Sequence, residues 1–227
     1  MNYPDLSYSA LEQALSRVRT DAQKWLEDYT RPYMKLMAYY ECAIMEVETK
    51  FKVLNKDFAI LADKNPIENI ESRLKSPKSI MEKMERNHWP LTVESIEENL
   101  NDIAGIRVVC SYVSDIYMLA DALLKQDDVT LIQKKDYIAS PKENGYQSLH
   151  LIISTPIFLQ NEKRMMKVEV QLRTLAMDTW ASLEHKIRYK KNNSAITEEE
   201  VRELKECADV CADLDLRMQK LMERCYR

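Results

Sequence analysis

Glycine is nearly missing from this chain: its 227 residues include two, Gly105 and Gly145. A phosphate-cradling P-loop and a dinucleotide-binding turn each need several glycines at fixed spacing, so both are excluded. Any nucleotide bound here is held by side chains. Histidine is almost as scarce, with His88, His150 and His185 the three present. Five cysteines, an odd number without paired spacing, suit a reducing compartment. Cys42, Cys110, Cys207, Cys211 and Cys225 mostly fall on apolar periodicities and read as core residues. Cys207 and Cys211 stand one helical turn apart, but no histidine is near in sequence, so buried thiols are expected rather than a zinc site. Positive charge is not in excess: a net charge of −4 and a pI near 5.6 exclude a protein that blankets nucleic acid, though not a local basic pocket. No apolar run approaches the ~20 residues of a membrane span, and the opening MNYPDLS has no leader pattern. The expected location is cytoplasmic, with no membrane partner.

What is present is periodicity. Ser9 and Glu12 read as a capping box, followed by Leu11, Leu15, Val18, Ala22, Trp25 and Tyr29 at helical spacing, until Pro32 is expected to end the helix. A second helix follows, with Met37, Tyr40, Ile44, Val47, Phe51 and Leu54 forming a narrow seam suited to packing on another helix. Residues 67–83 predict a short strand, a Ser-Pro turn and a helix from Ile80 onward. Four further strands are predicted over residues 104–112, 129–138, 148–159 and 166–174, with a helix between the first two. After them, Ala176, Trp180, Leu183 and Ile187 share a helical face that ends in a basic tip from His185 to Lys191. Thr197 and Glu200 form a capping box that opens a long helix along Val201, Leu204, Ala208, Cys211, Met218, Met222 and Cys225. The class is α/β (α+β): a mixed sheet of about five strands wrapped by helices. The divisions are N-terminal helices over 1–65, a core over 66–191 and a C-terminal helix over 192–227, all within one compact domain.

Period-two alternation sorts the strand residues into faces. Val168, Val170 and Leu172 fall on one face of their strand, and Lys167, Glu169, Gln171 and Arg173 on the other. By the same rule His150 leaves the face of Leu149, Leu151 and Ile153, and Arg107 leaves that of Ile106, Val108 and Cys110. If the polar faces align, Asp102, Arg107, His150, Glu169, Gln171 and Arg173 line one cleft. Two carboxylates among cations are what Mg²⁺-dependent phosphate chemistry requires. A sheet with one solvated face has the same pattern. The turn RLKSPKS, with Arg73, Lys75, Lys78 and nearby Lys83, reads either as a phosphate grip or as a charged helix start. Tyr146, on a turn made by Asn144-Gly145 between Lys142 and His150, reads either as a surface tyrosine or as a platform for a base.

Four segments taken together, SRLKSPKSIMEKM, NDIAGIRVVCSY, KENGYQSLHL and VEVQLRTLAMDTWASLEHKIRYK, resemble the small alarmone synthetases of the Rel/SpoT superfamily, and look closest to the RelQ branch. The resemblance implies a nucleotidyltransferase-like synthetase fold and transfer of the β,γ-pyrophosphate of ATP to the 3′ hydroxyl of GDP or GTP, with Mg²⁺. It implies that Arg73 and Arg107 sandwich adenine, that Lys75, Ser79 and Lys83 hold the ATP phosphates, and that Asp102 and Glu169 bind Mg²⁺. Glu169 would also take the proton of the attacking hydroxyl. Tyr146 would stack on guanine, Lys142, His150 and, more weakly, Lys135 would grip the acceptor's phosphates, and Gln171 would position the acceptor. A homotetramer built through the terminal helices is implied, together with alarmone or single-stranded RNA as further ligands. The hydrolase His-Asp pair of larger relatives is not found, because the three histidines precede Trp89, Leu151 and Lys186. Control by ribosomes is not expected. The competing reading is a nucleotide- or RNA-binding module with weak or lost catalysis.

Overall fold

In the computed structural model, which describes residues 8–62, 64–190 and 197–225, a five-stranded sheet carries the fold. The strands are β1 (Ile67–Leu74), β2 (Ala104–Cys110), β3 (Thr130–Asp136), β4 (Leu149–Phe158) and β5 (Lys163–Thr174), in spatial order β1-β2-β5-β4-β3. Only the β2–β5 pair is parallel, so the sheet is mixed as expected. Pro156 interrupts β4 beyond its last pairing with β3, Thr130 opposite Ser154, where one edge has no neighbour to bond.

Helix α1 spans Tyr8–Ala62 without a break, so the expected two N-terminal helices are one, and Ser9 and Glu12 lie inside it rather than at its cap. Pro32 removes one helical donor and is exposed, as is Asp28 four residues earlier, so water can satisfy the freed carbonyl. Val18 is exposed, whereas the side chains of Leu11, Leu15, Ala22, Trp25 and Tyr29 lie outside the described residues. The seam after Pro32 forms, but its partner is the sheet. Tyr40, Ala43, Ile44, Val47 and Phe51 are buried in one cluster with Ile106, Val108, Leu149, Leu151, Val168, Val170 and Leu172. A sheet face is wider than a helix groove, which is why Leu36 and Tyr39 join the seam.

The other helices are α2 (Pro77–Arg86), α3 (Val93–Asn99), α4 (Val113–Leu124), α5 (Leu175–Lys190) and α6 (Glu198–Cys225). Ser76 caps α2 by accepting from Ser79 N, with Pro77 at the first helical position. Thr92 caps the short α3, which alternation along the sequence had not revealed. Ile80, Met84, Ile96, Ile116, Leu119 and Leu123 from these helices complete the cluster on the apolar face. No helix among the described residues is long and apolar enough to cross a membrane.

The capping box of α6 is as expected: Thr197 N donates to Glu200 Oε2 at 2.9 Å and Glu200 N to Thr197 Oγ1 at 3.2 Å. Along α6, however, Ala208 is buried while Val201 and Met218 are exposed. Cys207 and Cys225 are exposed too, which corrects their reading as core residues; Cys110 is buried, and Cys42 and Cys211 are half-buried. On α5 the buried face is Met177, Trp180 and Ala181, and Leu183 and Ile187 of the expected face point to solvent. The buried face is set by α6: Trp180 and Ala181 pack with Ala208 in one small cluster. Since the α1 seam is packed within the chain, Phe51→Ala is expected to cost about 3 to 5 kcal/mol of folding stability. Denaturant unfolding measures it, and a variant as stable as the parent would place that seam elsewhere.

Candidate active site

Strand register writes the open face of the sheet as two rows. One runs Arg73, Gly105, Glu169, Ile152, Gln133, and the other Glu71, Arg107, Gln171, His150, Lys135. Both lie opposite the buried valines and leucines, so the polar faces do align. Gly105 is the step in the first row over which the Arg73 side chain lies: a Cβ there would touch Arg73 Cγ and Nε at 3.4 Å. A shallow recess of about 60 Å³ follows, walled by Glu71, Arg73, Gly105, Arg107, Glu169 and Gln171. Beside it a recess of about 220 Å³ is walled by Gln133, Lys135, Tyr137, Lys142, His150 and Glu169. A third, about 380 Å³, is bounded by Arg73, Arg107, Tyr146, Arg173 and the α5 residues His185 and Lys186.

Asp102, in the turn before β2, receives Lys75 Nζ at 2.7 Å and Lys83 Nζ at 2.9 Å. Burial alone would raise its carboxyl, but the two ammonium groups outweigh it and hold it below the ordinary carboxylate range. Glu169 is balanced the same way: burial pushes it up, and hydrogen bonds from His150 and Gln171 bring it below its usual value despite the charge of Asp102. Both carboxylates are therefore ionised hard-oxygen donors on one face. Lys78 takes no part; it is exposed, 3.9 Å from Glu82. Ser79 sits in the first turn of α2 with its hydroxyl accepting from Ser76 Oγ at 2.9 Å.

Tyr146 is half-buried, with ring contacts to Tyr137, His150 and Trp180. Lys142 Nζ stands 4.9 Å from its ring centroid and 4.6 Å from that of Tyr137. Gly145 before it has φ of 86°, a left-handed conformation that glycine adopts without strain. A side chain there would also collide with α6, its Cβ falling 2.4 Å from Ala208 Cβ. Trp180 Nε1 donates to Leu204 O at 2.8 Å and Thr174 Oγ1 to Asp215 at 2.6 Å, fixing α6 against this loop.

Eleven of the twelve expected site residues lie on or beside one face; Ser79 stands in the first turn of α2, where its contacts are with Ser76. Three others enter without an expected role. Tyr137 stands a period-two step beyond Lys135, a spacing that could have been used to find it. Arg173 was placed in the cleft without a task, and Asp178, bonded to it, lies on a helix where strand alternation says nothing.

The profile described as "Region found in RelA / SpoT proteins" matches residues 72–194. The chain is 44% identical over 179 residues to GTP pyrophosphokinase YwaC of Bacillus subtilis, covering 79% of this chain and 85% of that protein. It is 34% identical over 191 residues to GTP pyrophosphokinase YjbM of the same organism, covering 84% and 89%. Its fold is similar to the crystal structure of small alarmone synthetase 2 from Bacillus subtilis, with a TM-score of 0.77, 40% identity, and 85% and 98% of the two chains covered. Small alarmone synthetase 1 bound to its product pppGpp gives a TM-score of 0.77 at 33% identity, covering 85% and 97%. The rows of charge on the open sheet face and these likenesses agree, and the chain belongs to the RelA/SpoT family, among its small alarmone synthetases.

Proposed function

We propose that the open face transfers the β,γ-pyrophosphate of ATP to the ribose 3′ hydroxyl of GDP or GTP, giving AMP and guanosine tetra- or pentaphosphate. The chain is then a GTP pyrophosphokinase (GTP diphosphokinase), the activity for which its curated relatives are named. Glu169 carries this reading, because it lines both the arginine-walled recess and the one walled by lysines and tyrosine. A group that accepts the hydroxyl proton belongs at such a junction between donor and acceptor.

On the donor side Arg73 and Arg107, from adjacent strands, take adenine between guanidinium planes. Lys75 and Lys83, with Ser79 at the start of α2, hold the phosphates; the lysines already converge on Asp102. Asp102 and Glu169 fit Mg²⁺, being ionised oxygen donors, and phosphate would draw away the two ammonium partners of Asp102. Bound there, the ion supplies charge neutralisation to the transferred group. On the acceptor side Tyr146 stacks on guanine, Lys142, His150 and Lys135 grip the 5′ phosphates, and Gln171 orients the ribose. In-line transfer asks for alignment and charge more than for a nucleophilic side chain.

The binding-module reading loses support from the basic tip of α5. Arg188 is spent on Glu184, and Lys186 faces the nucleotide recess. Association of copies gains support from α6, where Val210, Leu214, Met218 and Leu221 form an exposed stripe; the number four comes from the resemblance. Light scattering is expected to give four times the 26.7 kDa chain mass, and a monomer would end that reading.

With Mg²⁺, ATP and GDP, the protein is expected to yield AMP and guanosine tetraphosphate in equal amounts, and Glu169→Gln to slow turnover by about 10²- to 10⁴-fold with the fold intact. Full turnover by that variant removes Glu169 from the chemistry. Tyr146→Ala is expected to lose roughly 1 to 3 kcal/mol of stacking, about 5- to 150-fold in the acceptor's KM, with ATP's KM far less affected. Steady-state kinetics with each substrate varied in turn decides it.

A further inference from the structure

Arg173 lies at the end of β5 and has no task in the reaction above. It is 6% exposed; its Nε is buried without a hydrogen-bond partner among the described residues, and the two terminal nitrogens carry its contacts. Its Nη2 has two hydrogens and two acceptors, Tyr146 Oη at 2.7 Å and Gln171 Oε1 at 2.9 Å. Nη1 reaches Asp178 Oδ1 at 3.1 Å, which anchors the group from α5.

A guanidinium donates and never accepts, so two orientations follow. Gln171 turns its carbonyl to Arg173 and its amide nitrogen to Glu169 Oε2, 3.1 Å away. Tyr146 Oη, accepting from Arg173, has its own proton to give, and His150 Nε2 lies at 2.8 Å. An Nε2 that accepts leaves the ring hydrogen on Nδ1, which faces Glu169 Oε1 at 3.4 Å. The side chains close into a ring: Arg173, Tyr146, His150, Glu169, Gln171 and back to Arg173.

Resting on the reading of Glu169 as the acceptor of the hydroxyl proton, we propose that Arg173 is a positioning residue that sets the direction of every hydrogen in this ring. It thereby selects the Nδ1–H tautomer of His150 and aims both carboxylate oxygens of Glu169. Arg173 touches no reacting atom. It ties the tyrosine beneath the acceptor's base to the carboxylate beside the acceptor's hydroxyl, so that seating one aligns the other.

Nitrogen-15 NMR of the histidine rings in the full chain, without Mg²⁺ and at a pH where imidazole is neutral, tests this directly. His150 is assigned by comparison with His150→Gln. The wild-type ring is expected as the Nδ1–H form. Arg173→Met and Tyr146→Phe are expected to lose that preference, and the donor-only Arg173→Lys to keep it in part. In kinetics, Arg173→Met is expected to lower kcat about 10²-fold and raise the acceptor's KM with ATP's unchanged. An Nε2–H ring in the wild type overturns the proposal without reference to any variant's folding, and so does a folded Arg173→Met with the tautomer unchanged. The expected tautomers in a protein that makes no alarmone would uphold the ring and overturn the reaction instead.

Discussion

The pairing of β5 between β2 and β4 is the constraint on which the rest depends. Side chains alternate along a strand, so a slip of one residue would send Glu169, Gln171 and Arg173 into the core and Val168, Val170 and Leu172 into water. Burial of those three prevents it, since each fully buried aliphatic side chain contributes about 1.5 to 3 kcal/mol. Once the register is fixed, Gly105 stands beside Glu169 and Arg107 beside Gln171 with no further instruction. Hydrophobic packing against α1 and α4 thus sets the geometry of charged groups on the opposite face.

The same logic explains what the sequence made legible. The strands, their faces and the five polar cleft residues they carry, Arg107, His150, Glu169, Gln171 and Arg173, follow from a period of two, which is local and survives any arrangement of the strands. Asp102 with Lys75 and Lys83 was legible only as charge near charge; that both lysines converge on one carboxylate depends on how α2 and the turn before β2 meet, and that contact is not local. The continuity of α1 through Pro32 was illegible for another reason. Proline's cost in a helix depends on whether the freed carbonyl reaches water, and exposure is a property of the fold. Leu183 and Ile187 have helical spacing and no surface in the described chain to cover them, because spacing specifies a face but not its partner.

Gly145 shows how one residue can satisfy two demands of which the sequence displays one. The Asn-Gly pair announces a turn, and Tyr146 N donating to Asn144 Oδ1 at 3.2 Å is that turn. The second demand is clearance: α6, more than fifty residues later in the chain, lies so close that even a methyl group would meet Ala208. Trp180 bonded to Leu204 keeps the helix there. Placement of Tyr146 therefore depends on α6 as well as on its own loop.

Charge balance reconciles an acidic chain with polyphosphate substrates. Most cations of this face have a partner before substrate binds: Lys75 and Lys83 with Asp102, Lys142 with the rings of Tyr137 and Tyr146, and Arg107 with Glu71 and Asp178. Without substrate these pairs relieve the repulsion that a bare cluster of cations would impose on the fold. In the proposed reaction, phosphate takes the ammonium groups, and a divalent ion takes the Asp102 carboxylate they leave. Binding then becomes an exchange of partners at nearly constant local charge, and the desolvation already undergone by Asp102 and Glu169 during folding need not be repeated. A face built in this way can be selective for a nucleotide with its metal ion over either alone, because each supplies the partner that the other displaces.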